Sequence, residues 1–150
     1  MEYTNEYIER LSRLATYKRG KERAVHKPLL LLLAIAKLFQ GQGELAYTDV
    51  ETPLSSLLYQ FGRSTKGKPA PQYPFWHLCS DGFWEIPDQS KLVMQANKER
   101  PTVPSLRLAY GRLEPVFAEA LLADRNFARR AVETILECHF AGTLHEDLVA

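Results

Sequence analysis

The twelve residues PLLLLLAIAKLF, 28–39, decide how this chain folds. The run is interrupted only by Lys37, and it falls well short of the ~20 apolar residues needed to cross a bilayer. A helix apolar on nearly every side belongs at the centre of a fold, where other elements cover all its faces. Pro28 suits its first turn, since the N–H that proline lacks has no intrahelical partner there. The stretch GQG at 41–43 stops it.

Toward the N-terminus, Tyr3, Tyr7, Leu11 and Leu14, with Ile8 alongside, recur every three to four residues and predict a one-sided helix within 1–16. Between them lies a basic connection, 17–27, YKRGKERAVHK, with Gly20 breaking any long helix. Toward the C-terminus, ELAYTDV predicts a short extended piece, after which Thr52 caps a helix with Pro53 in its first turn. Leu54, Leu57, Leu58 and Phe61 are its buried stripe, and Gly62 its stop. The acid-free stretch RSTKGKPAPQ, 63–72, reads as an exposed loop. FWHLCSDGFWEI, 75–86, sets two aromatic segments about a Ser-Asp-Gly turn and predicts a β-hairpin with Phe75, Trp76, Phe83 and Trp84 in its core. Residues 87–111 are expected to hold a strand and a functional loop. Leu113–Ala123 and Phe127–Phe140 read as helices, with Asp124 as the cap between them and Gly142 closing the second. The expected fold is α+β and mainly helical: one domain over 1–150, core 28–145, with about five helices around a buried central helix and a small β-hairpin or sheet.

Composition supports one packed core, because 45% of the 150 residues are apolar and 16 are aromatic, too many for a disordered chain. Cys79 and Cys138 stand 59 positions apart, which gives neither a disulfide framework nor a CxxC site and suits a reducing, cytoplasmic setting. The opening MEYTNEYIER is acidic and amphipathic, unlike an export signal, and no membrane partner is expected. A formal charge of +1 announces no polyanion, but the charge is polarised: +4 over 17–27, +3 over 60–107 and −3 over 108–150. Two positive stretches brought together make a face suited to a phosphate backbone; left apart, they are two solvated loops.

Three segments in order, RAVHKPLLLLLAIAKL (23–38), QYPFWHL (72–78) and DGFWEI (81–86), resemble the DNA sulfur-binding domain of type IV restriction proteins of the ScoMcrA kind. In that family a His-Lys/Arg-Pro-Leu-Leu-Leu segment is followed by Tyr-Pro-Phe-Trp and then Asp-Gly-x-Trp. The C-terminal ILECHF also resembles the family's closing helices. The resemblance, spanning roughly 20–145, implies binding of phosphorothioate-modified double-stranded DNA, with a nuclease or other effector acting in trans. It implies a sulfur cavity formed by Tyr73, Pro74, His77 and Lys27, with Lys27 at a position that is Arg in some members. A lysine there neutralises the phosphate as a point charge rather than a bidentate fork.

Physical chemistry gives such a cavity its logic. Sulfur in place of a non-bridging oxygen is larger, more polarisable and a poor hydrogen-bond acceptor, so charge alone does not read it. An apolar cup does: an oxygen losing its water there without a partner costs about 1–3 kcal/mol. Tyr73 and Pro74 supply a ring face and a stiff pyrrolidine. His26, at the start of the central helix, and Arg19, Lys21, Arg23, Lys66 and Lys68 are candidate phosphate contacts. In KERPTVPSLR, Arg100, Ser105 and Arg107 are candidate base contacts, since arginine grips guanine O6 and N7. His77 reads equally as a structural histidine, and Tyr73 as a packing residue.

No enzyme is expected. His26, His77, His139 and His145 form no HNH-like set, neither a phosphate-binding nor a dinucleotide-binding glycine motif occurs, and no metal or other cofactor is called for. Two other readings compete: a general helix-turn-helix-like DNA-binding or transcriptional module without sulfur preference, and an interaction adaptor that exposes the aromatic hairpin.

Overall fold

In the computed structural model, which describes residues 2–14, 18–19, 22–23, 26–61, 70–96 and 100–140, the chain begins with helix α1 (Glu2–Ser12). Its periodic apolar positions do what their spacing predicts, with Tyr7 and Leu11 buried. Inside the basic connection, β1 (Lys18–Arg19) and β2 (Glu22–Arg23) pair antiparallel, Lys18 opposite Arg23.

Helix α2 (His26–Phe39) is the expected centre. Pro28, Leu29, Leu30, Leu31, Ala34 and Ile35 are buried. Strand β3 (Glu44–Ala46) is the short extended piece, and helix α3 (Tyr47–Phe61) follows it without a break. The helix therefore starts at Tyr47 rather than at a Thr52 cap, and Pro53 lies inside it. Burial of Tyr47, Val50, Leu54 and Leu58 outweighs proline's local cost of about 3 kcal/mol in a helix interior.

The predicted hairpin at 75–86 is not formed. Helix α4 (Gln72–His77) runs into a 3-10 turn at Leu78–Asp81, and only β4 (Trp84–Glu85) is a strand. Buried Pro74, Phe75 and Leu78 follow a helical rather than an alternating period. Pro74 is the third helical residue, where its missing N–H leaves no bond unmade. Three of the four aromatics are nonetheless core as expected: Phe75, Phe83 and Trp84 are at most 2% exposed, while Trp76 is only partly buried against the core.

After the short α5 (Val103–Leu106), strand β5 (Tyr110–Leu113) takes the middle of an antiparallel sheet of order β3-β5-β4. Glu85 faces Arg112 across β4 and β5, and Arg112 Nε donates to its carboxylate at 2.7 Å. Gly111 lies against the Trp84 indole so closely that a Cβ would collide with the ring. Helices α6 (Pro115–Ala123) and α7 (Arg125–His139) close the fold. Glu114 caps the first. Asp124 caps the second as predicted, accepting from the Asn126 and Phe127 amides at 3.0 and 3.1 Å.

Helix α7 packs against α1, where the buried His139 Nε2–H donates to the Leu11 carbonyl at 2.8 Å. Tyr7, Phe83, Phe117 and Phe127 form one aromatic cluster, with centroids 5.0–6.2 Å apart. Among the described residues, α1, α2, α3, α6 and α7 are the long helices, and no helix is long and apolar enough to cross a membrane. Gly62, Gly142 and His145 lie outside the described residues.

Candidate nucleic-acid interface

Helix α4 places Tyr73 and His77 one turn apart on the same face. Their ring centroids are 4.9 Å apart and their planes 36° tilted. Tyr73 is 45% exposed, while Pro74 directly behind it is buried. The next residue, Phe75, anchors the helix in the core: Tyr47 and Trp84 meet it edge-on at 5.0 and 5.3 Å. Trp84 Nε1–H also donates to the Phe75 carbonyl at 2.9 Å. A half-exposed ring face thus lies over a buried pyrrolidine, on a helix packed firmly into the core.

Arg100 reaches this surface from the late loop. Its guanidinium carbon is 4.6 Å from the Tyr73 centroid, a cation–π contact. The backbone beneath it is held by a bridge between Met94 and Pro101 and by the Gln95 amide donating to the Arg100 carbonyl at 2.8 Å.

Lys27, in the first turn of α2, is tied through Asp81 to the stretch that bears Tyr73. Lys27 Nζ and Asp81 Oδ2 are 2.7 Å apart, with side chains 16% and 11% exposed. Asp81 ends the 3-10 turn that continues α4, and the Arg10 guanidinium donates to its carbonyl at 3.1 Å. Gly82 then turns with φ +85°, a conformation only glycine adopts freely, and a side chain there would strike Arg10. His26 is the first residue of α2 and half-buried. Burial lowers its pKa below the usual 6.5 and favours the neutral ring.

The remaining candidates divide. Ser105 is buried in the capping network of α5, its hydroxyl 2.9 and 3.3 Å from the Thr102 and Val93 carbonyls and accepting from the Thr102 hydroxyl. That hydroxyl is turned inward, away from any base edge. Arg107 is exposed and forked onto Glu51, with Nε and Nη2 at 3.2 and 2.9 Å from its two oxygens, which raises its pKa further. Arg19 and Arg23 are on the paired strands β1 and β2. Lys21, Lys66 and Lys68 lie outside the described residues. Arg10 was not singled out in the sequence, and Asp81 appeared there only as the first residue of the Asp-Gly-x-Trp motif. The Ser-Asp-Gly run reads as a bare turn, and no local signal joins it to Lys27.

Two chemistries find no support here. The Cys79 thiol is pushed up to about 11, chiefly by burial, so it is a poor nucleophile at neutral pH. Among the described residues, no three His, Cys, Asp or Glu side chains are grouped to hold a metal.

Known structures share this fold. The sulfur-binding domain of ScoMcrA complexed with phosphorothioated DNA matches with a TM-score of 0.80 at 24% identity, over 95% of this chain and 98% of that one. The sulfur-binding domain of SprMcrA, also complexed with phosphorothioated DNA, matches with a TM-score of 0.71 at 23% identity, over 93% and 86%. The type IV phosphorothioation-dependent restriction endonuclease ScoMcrA matches with a TM-score of 0.78 at 23% identity; 93% of this chain is covered but only 31% of the endonuclease. At such identities the likeness speaks for the fold alone. A comparison with curated proteins finds no match. The family model of the ScoMcrA-like DNA sulfur-binding domain matches residues 4–150, and the chain therefore belongs to that family.

Proposed function

We propose that this chain is a reader of phosphorothioate-modified double-stranded DNA, seating the sulfur on the Tyr73–Pro74 surface beside His77. The observation that carries this reading is convergence. Two family motif segments distant in the sequence are tied together: α2, which begins at His26 and Lys27, packs against α4, and Lys27 pairs with Asp81 just beyond it.

Each side chain then has a part. The Tyr73 ring and Pro74 give sulfur polarisable, dry contact. An oxygen in the same place loses its hydration without a donor, at about 1–3 kcal/mol, or roughly ten- to a hundredfold in affinity. Lys27 supplies charge beside the cup, and Arg100 holds the Tyr73 ring while adding a second cation at its rim. Arg19, Lys21 and Arg23, in the basic connection, are the proposed contacts to neighbouring phosphates.

The chain performs no chemistry on DNA in this reading. It spans under a third of the restriction endonuclease it resembles, so cleavage falls to an effector acting in trans or to further domains. The cytoplasm, where DNA meets restriction systems, is the place of action. The test is a mobility-shift titration with stereochemically pure Rp and Sp phosphorothioate duplexes and the unmodified duplex. The expected result is salt-sensitive binding that favours one stereoisomer over unmodified DNA, with no hydrolysis of any duplex. Equal affinity for all three would leave a general DNA-binding module.

A further inference from the structure

Lys27 lies at the start of α2, which packs against α4, and its ammonium is not free to roam. Asp81 Oδ2 holds Nζ at 2.7 Å, and both side chains are largely buried. The holder is itself held: Arg10 donates to the Asp81 carbonyl, and its guanidinium lies 4.8 Å from the Phe83 ring centroid. Because the 3-10 turn bearing Asp81 continues α4, the tether and the cup are parts of one stretch. An untethered surface lysine offers its charge to any phosphate within reach of a flexible four-carbon stem, and such contacts carry no information about modification. A tethered lysine offers it at one point.

We infer that Asp81 is a specificity-determining positioning residue: by tethering Lys27 it confines that charge to a phosphate seated on the Tyr73–Pro74 surface and withholds it from phosphates that do not seat. The inference rests on the phosphorothioate reading above. A sulfur-bearing linkage seats and meets the ammonium, which has N–H donors besides the one that Asp81 takes. An unmodified linkage does not seat, and it meets the repulsion of the carboxylate without the compensating contact. Asp81 thus sharpens discrimination by lowering background binding, without touching sulfur.

The experiment measures affinity against salt concentration for modified and unmodified duplexes with wild type, D81N, K27M and the double variant K27M/D81N, folding being checked by circular dichroism. In D81N the freed lysine is expected to tighten unmodified-duplex binding about three- to tenfold and to steepen its log–log salt slope by about 0.9, the increment for one added phosphate contact. The modified duplex gains less, so the preference for it falls. The double variant loses the added slope. Independently of whether D81N folds, K27M is expected to reduce the slope for the modified duplex by about 0.9 and that for the unmodified duplex far less. Equal slope losses in K27M, a folded D81N with wild-type preference, or added slope surviving in the double variant each overturn the role of Asp81. Absence of any sulfur preference in the wild type overturns instead the reading on which it rests.

Discussion

In the proposed reading Tyr73 is the residue on which discrimination turns, because it sets a half-exposed ring on a helix that Phe75 anchors in the core. Replacing it with alanine is expected to lower the preference for the modified duplex by about ten- to a hundredfold while leaving the thermal midpoint nearly unchanged, which paired binding and melting curves check. Gly111 is the opposite case. Gly111→Ala drives a methyl into the Trp84 indole and is expected to cost about 1–3 kcal/mol of stability, read from chemical denaturation. His26 gives a pH signature. Its folded pKa lies below 6.5 because burial disfavours the charged ring, so below that pH the unfolded chain binds more protons and stability falls; above it the contribution is constant. The loss of melting temperature between pH 7.5 and 5.5 is expected to be smaller in His26→Gln. Lys27, Tyr73 and Pro74 were legible in the sequence because they stand in ordered motifs. Asp81 stands in one too, at the head of DGFWEI, but its pairing was not legible, since an ion pair spanning 27 and 81 leaves no trace in local pattern.

Among the elements, the sequence was most legible where one periodicity dominates. The run at 28–39 has no polar face, and it became the central helix; the Asp124 cap between two apolar stretches lies where its chemistry requires. Asp124→Ala is expected to destabilise the fold by about 1 kcal/mol, because two amides of α7 lose their acceptor, with the midpoint of urea unfolding as the check. The segment 72–86 was misread for a physical reason. Aromatic side chains favour strands in general, and a proline disfavours helix in the residue before it, so Tyr73-Pro74-Phe75-Trp76 looks extended. Packing decides otherwise: Phe75 inserts between Tyr47 and Trp84, which only a helical turn allows while Tyr73 stays at the surface. The Trp84 indole then hydrogen-bonds the Phe75 carbonyl. Trp84→Phe leaves that buried acceptor unmet, and a loss of about 1–3 kcal/mol is expected in denaturation experiments.

At the scale of the whole molecule, near-neutral composition conceals a division of labour. Positive excess gathers at 17–27 and in the central third, and negative excess in the last third, 108–150. The reading of charge by segment carried this division, but it did not pair the segments, because the contact between the start of α2 and the end of α4 is tertiary. The aromatic core has a kinetic consequence. Since α4 is wedged by Phe75 and stitched through Trp84 to the sheet, the helix that carries Tyr73 needs, on the proposed reading, no ordering of its own between encounter and engagement. Modified and unmodified duplexes should then be captured at similar speed, steered by the same field. What distinguishes them is how long they stay, a difference of dwell time that stopped-flow chase measurements would resolve.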